Sequence, residues 1–117
     1  MIFMLLSLLA APQSAHWDAM ARANETASIC SVRQGVRLDD KKTSPEIIAR
    51  AAFAACNREL QELDESVKRN AAIEMPTVPQ SMTEPAVQEH IRSMRKRIED
   101  LVIQAVLEQR VRNAPNP

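Results

Sequence analysis

The chain has 117 residues, and its 15 basic side chains balance 15 acidic ones, so the net charge at neutral pH is zero. That balance gives no electrostatic basis for binding nucleic acid or an anionic membrane surface. With one Trp, two Phe and no Tyr, it also lacks the aromatic residues from which base-stacking platforms are built.

The N-terminal stretch Ile2–Ala11 is an uncharged apolar run, followed by Pro12, Gln13, Ser14 and Ala15. This is the layout of a secretory signal peptide over residues 1–15, cut after Ala15. The run is well short of the ~20 residues a helix needs to span a bilayer, so no stable membrane span is expected after cleavage. No Lys or Arg precedes the run and Gln13 stands where a small residue is usual, so a buried N-terminal helix of the mature fold is the alternative. The export reading places the protein in the periplasm or outside the cell and leaves residues 16–117, enough for one domain.

The remainder reads as all-α. One Gly in the chain, abundant Ala, Glu, Arg and Gln, and no strand-length alternation favour helix throughout. A first helix is expected from Trp17 to Gln34, with Trp17, Met20, Ala23, Ala27 and Cys30 on one face. Gly35, the lone glycine, suits a left-handed C-terminal cap. The charged connector Asp39-Asp40-Lys41-Lys42 follows and is exposed by pattern.

The second helix has the clearest start. Ser44 can cap, and Pro45 fits the first turn, where its missing N–H is no loss. Thr43 and Glu46 also have capping-box spacing. Ile48, Ala52, Cys56, Leu60, Leu63 and Val67 then recur by fours and threes, and the helix is expected to end near Ile73. Residues 16–74 thus form a helical hairpin.

A proline-containing linker is expected over residues 75–83. A third helix then runs over 84–112, and the tail 113–117, which has two prolines, frays. Within the third helix Val87, Ile91, Met94, Ile98, Leu101 and Ala105 form a heptad seam. Beyond Leu101 the apolar surface widens to include Val102, Ile103, Val106 and Leu107. Leu101, Val102, Ile103, Val106 and Leu107 are therefore the candidate partner surface, covered either by the first two helices or by a second subunit.

Cys30 and Cys56 are the only cysteines. In an exported chain an even count reads as a disulfide, and both lie on the expected buried faces. No cofactor is expected. His16 would become N-terminal after cleavage and could offer its amine and ring nitrogen to Cu(II), with His90 as a further nitrogen. Arg92, Arg95, Lys96 and Arg97 read as a solvated face paired with neighbouring acids. No nucleophile–base pair and no glycine-rich phosphate loop is present.

The expectation is an exported, non-enzymatic helical binding or structural protein of three helices, clamped by Cys30–Cys56 and self-associating through its third helix or binding a protein partner. The alternatives are a small periplasmic metal- or ligand-binding carrier, or an inhibitor of an envelope enzyme.

Overall fold

The computed structural model describes the backbone of residues 2–115 and the side chains of residues 15–115. The described residues are all-helical and contain no strand. They form four helices, not three: α1 (Ile2–Leu38), α2 (Pro45–Ala55), α3 (Asn57–Glu74) and α4 (Gln80–Arg112). The reading of residues 1–15 as a signal peptide falls, apart from Ala15, on residues whose side chains lie outside the described ones. No described helix is long and apolar enough to cross a membrane.

α1 does not stop at Gly35 but continues to Leu38, and Gly35 does not take a positive φ. The glycine is required by tertiary packing instead. A Cβ at this position would overlap Cγ1 of Val102 in α4, so the missing side chain lets α4 cross close to the α1 backbone.

α2 begins as the sequence indicates, with Ser44 at the N-cap and Pro45 in the first turn. The capping is done by the Ser44 carbonyl, which accepts from the N–H groups of Ile47 and Ile48 at 3.1 and 3.2 Å. The Thr43 side chain is used elsewhere. Its hydroxyl donates to Asp40 Oδ2 at 2.6 Å, while Asp40 Oδ1 accepts from the backbone N–H groups of Lys42 and Thr43 at 2.9 and 2.7 Å. The connector turns back on itself there, and Lys41 takes φ 65°, in the left-handed region.

The single helix expected over residues 45–73 is broken at Cys56, whose φ and ψ are −105° and 24°. The Cys56 N–H is shared between the carbonyls of Ala52 and Phe53 at 3.0 and 3.2 Å, a local tightening of the turn. Its own carbonyl then accepts from Leu60 N–H at 3.0 Å, so α3 starts at once. The break divides the seam between two clusters. Ile48, Ala49 and Ala52 of α2 pack with Val102 and Val106 of α4. Leu60, Leu63 and Val67 of α3 pack with Ala27 of α1 and Ile91 and Ile98 of α4. Phe53, beside the break, touches both clusters. All six expected seam residues of this region, from Ile48 to Val67, are buried.

The linker is shorter than expected. α4 starts at Gln80 with Pro79 as its N-cap, and the Pro79 carbonyl accepts from Met82 and Thr83 N–H at 3.0 and 3.3 Å. Pro85 therefore lies inside the helix. It removes the bond to the Ser81 carbonyl, and Ser81 is exposed, so water can satisfy that group. At the other end α4 stops at Arg112, as expected, and the Asn113 N–H bonds the Gln109 carbonyl at 3.0 Å.

Candidate contact surface on helix α4

The five residues expected to form one partner surface do not share one environment. Val102 and Val106 have no exposed area and belong to the cluster beneath α1 and α2. They are unavailable to a partner, which corrects that part of the expectation. Leu101 and Leu107 are each 47 % exposed, and Ile103 is half-buried at the edge of the same cluster.

The reason is a change of period within α4. Ile91 and Ile98 are a heptad apart, but the buried line then steps by four through Val102 and Val106. A strict heptad would have turned Leu101 and Ala105 inward. Steps of four instead follow the close crossing at Gly35, which selects Val102. A helix of 3.6 residues per turn then places Ile103 and Leu107 about 100° round from that line. They share a shallow groove with Val111, which is 76 % exposed. Val111 was absent from the expected surface, although its spacing of four from Leu107 was available as a signal.

The buried line of α4 ends in a charge. Arg110, one step of four beyond Val106, donates from Nε and from its terminal nitrogen to Asp39 Oδ1 at 3.0 and 2.7 Å. The same terminal nitrogen donates to the Thr43 carbonyl at 2.6 Å. Asp39 Oδ1 also accepts from Lys41 N–H at 2.9 Å. The neighbouring Gln109 side chain donates to the Val36 carbonyl at 3.3 Å. The Asp39 side chain is fully buried, contrary to the exposed connector expected from the charge pattern. Hydrogen bonding from Arg110 holds the Asp39 carboxyl below its ordinary range, against the opposing effect of burial. These bonds pin the C-terminal turns of α4 to the α1–α2 connector and so set the orientation of the exposed stripe.

Cys30 and Cys56 form the expected disulfide, with Cα atoms 6.0 Å apart. It ties the C-terminal third of α1 to the break between α2 and α3, and Cys56 is fully buried.

The structure gives the two histidines other surroundings. His16 lies within α1, its Nε2 is 2.7 Å from Glu74 Oε1, and the Trp17 indole N–H donates to the same oxygen at 3.0 Å. Both close the open end of the α1–α3 pair. His90 is exposed on α4. Among the described residues, Cys30, Cys56 and Glu59 alone form a group of three ligand types within metal-binding reach, and it contains neither histidine. Its two sulfurs are bonded to each other, so no thiolate is available there.

Three of the four basic residues at 92–97 are paired. Arg92 meets Glu89 at 3.2 Å and Lys96 meets Asp100 at 3.1 Å. Arg95 makes a two-pronged contact with Asp64 of α3, at 3.2 and 2.6 Å. This cluster is a salt-bridged face that also fastens α4 to α3.

The fold and this surface define an all-helical, disulfide-bonded domain with one apolar stripe left uncovered on its last helix. Comparison with known protein families, with curated proteins and with solved structures returns no match to the chain.

Proposed function

We propose that this chain is an exported, non-catalytic helical binding module whose contact surface is the C-terminal half of α4. The observation that carries the reading is the line Ile103, Leu107 and Val111. These apolar residues are spaced by four on one face, flanked by polar side chains, and partly or largely exposed on a helix whose adjoining face is packed into the core. Contiguous apolar surface of this kind marks interaction sites more often than isolated exposed residues do. Ile29 and Ile47 are also about half exposed but extend no such line. The disulfide favours an oxidising compartment, and the apolar N-terminal run supplies the export reading.

The test is retention of a protein, its own chain included, by the immobilised full-length chain from the native envelope fraction. Wild type is compared with Leu107→Arg, and with His90→Ala as a control outside the stripe. Retention lost only in Leu107→Arg is the expected result. Equal retention by all three chains, or none by wild type, overturns the reading.

A second reading, a small-ligand carrier, draws on a cleft of about 360 Å³ between the end of α3 and the start of α4, lined in part by Ala71, Met75, Val78 and Val87. That size lies at the lower end of the range for small-molecule sites. A ligand there would raise the melting temperature of wild type and of Leu107→Arg alike, which separates the two readings.

A further inference from the structure

We propose that Cys30, Cys56 and Glu59 hold a zinc ion when the bridge is reduced, so that disulfide and metal are alternative occupants of one place in the fold. Their donor atoms, two sulfurs and a carboxylate oxygen, lie within 4.8 Å of one another. Cys30 comes from α1, Cys56 is the N-cap of α3, and Glu59 sits in the first turn of α3. Residues three apart at a helix start lie on one side of it, which brings Glu59 to the bridge that Cys56 makes.

The donor set suits Zn(II). With Zn–S bonds of about 2.3 Å, two thiolates of a tetrahedral site stand about 3.8 Å apart. The Cα atoms of Cys30 and Cys56 are 6.0 Å apart, so the freed side chains reach that separation by rotation while the helices stay in place. Thiolates select zinc over the hard cations, and the carboxylate favours a divalent ion over Cu(I). Glu59 is held only loosely by its ion pair, 3.9 Å from the Nη2 of exposed Arg58, so its carboxylate can turn toward a metal. Cys56 is fully buried, whereas Cys30 and Glu59 are half-buried. The site therefore opens to solvent on one side, where water supplies the fourth ligand. Three anionic donors this close repel one another, and a cation between them converts the repulsion into attraction.

The exchange balances with a dithiol as reductant. Two electrons and two protons pass from the dithiol to the Cys30–Cys56 bond, which breaks to give two thiols, and the dithiol closes to its own disulfide. Zinc then displaces the two thiol protons into solvent. Re-forming the bridge, with two electrons passing to an oxidising disulfide, removes both thiolates and expels the metal.

The experiment titrates the full-length chain with Co(II) as a coloured probe and then with Zn(II), in the oxidised form and after reduction by a phosphine. Wild type is compared with Glu59→Gln and with the double variant Cys30→Ser, Cys56→Ser. Glu59→Gln keeps the bridge, so its folding is verified in the oxidised form by thermal melting. Reduced wild type should take one Co(II) per chain with thiolate-to-metal charge-transfer absorption, and Zn(II) should displace it. Zinc should also raise the melting temperature of the reduced chain, or restore its helical signal if reduction alone unfolds it. Glu59→Gln should bind about tenfold or more weakly. The oxidised chain and the double serine variant should show neither the absorption nor the thermal shift. A reduced chain that takes no metal at micromolar concentration overturns the proposal, as does metal bound without any gain in stability or helical signal. Equal binding by wild type and Glu59→Gln, or by the reduced and oxidised chains, overturns it as well.

Discussion

Arg110 and Asp39, 71 residues apart in sequence, are joined by two hydrogen bonds onto one carboxylate oxygen, at 3.0 and 2.7 Å. The carboxylate is fully buried and the guanidinium retains partial access to water. The two partners are therefore unequal. Removing the guanidinium strands a buried charge, whereas removing the carboxylate leaves a cation that still holds the Thr43 carbonyl and reaches solvent. Arg110→Ala should therefore destabilise the fold more than Asp39→Asn does. Urea denaturation of the two variants and wild type checks the order.

The same pair sets a pH dependence. The folded-state pKa of Asp39 lies below its unfolded value, with hydrogen bonding from Arg110 as the main cause. Its stabilisation is therefore fully present above the unfolded value of about 3.9 and is lost as pH falls through the folded one. The stability gap between wild type and Asp39→Asn should be constant above about pH 5 and shrink once pH drops below about 4. Denaturation midpoints measured across that interval check the sign. A gap that widens on acidification would show that the pair does not stabilise the fold in this way.

Gly35 should tolerate no side chain. Alanine is the better helix former by about 1 kcal/mol, but its Cβ would overlap Val102 Cγ1. Val102 is buried, and its β-branched side chain has little freedom to turn away. Gly35→Ala should therefore destabilise the protein by about 1–2 kcal/mol net. The double variant with Val102→Ala should lose less than the two single losses added together, which a thermodynamic cycle from thermal melts would show.

Much of this architecture was legible in the sequence, and the boundary of legibility is physical. The start of α2 at Ser44 and Pro45, the buried line from Ile48 to Val67 and the Cys30–Cys56 bridge rest on local chemistry and periodicity. The break at Cys56 was hidden because the residue stays on the seam while its backbone leaves the helix. Gly35 looked like a cap because the demand on it comes from Val102, far along the chain. Asp39 looked solvated for the same reason, since Arg110 covers it from the opposite end of the domain. On α4 Leu101 stood on the heptad seam and was grouped with Val102 and Val106 as partner surface. The step of four at the helix crossing separates them, burying Val102 and Val106 and leaving Leu101 and Leu107 exposed with Val111.

Opening the disulfide should cost a large part of the stability. The bridge closes a loop with a sequence separation of 26. On the chain-entropy account its loss, as Cys30→Ser with Cys56→Ser, should reduce stability by about 3.5 kcal/mol. Calorimetry of the double variant, and of wild type with reductant, should give matching shifts. Alkylation before unfolding should label no thiol in the oxidised protein.

The central claim is that α4 has one face committed to the core and another free for contact. It is tested most directly by measuring stability and association together on two variants of the full-length chain. Val102→Ala should lose about 2 kcal/mol of stability by cavity formation. Leu107→Arg should keep its stability within about 0.5 kcal/mol of wild type and lose the capture of protein, its own chain included, that the wild-type chain shows. Leu107→Arg capturing protein as wild type does, or unfolding as readily as a core variant, would contradict the account.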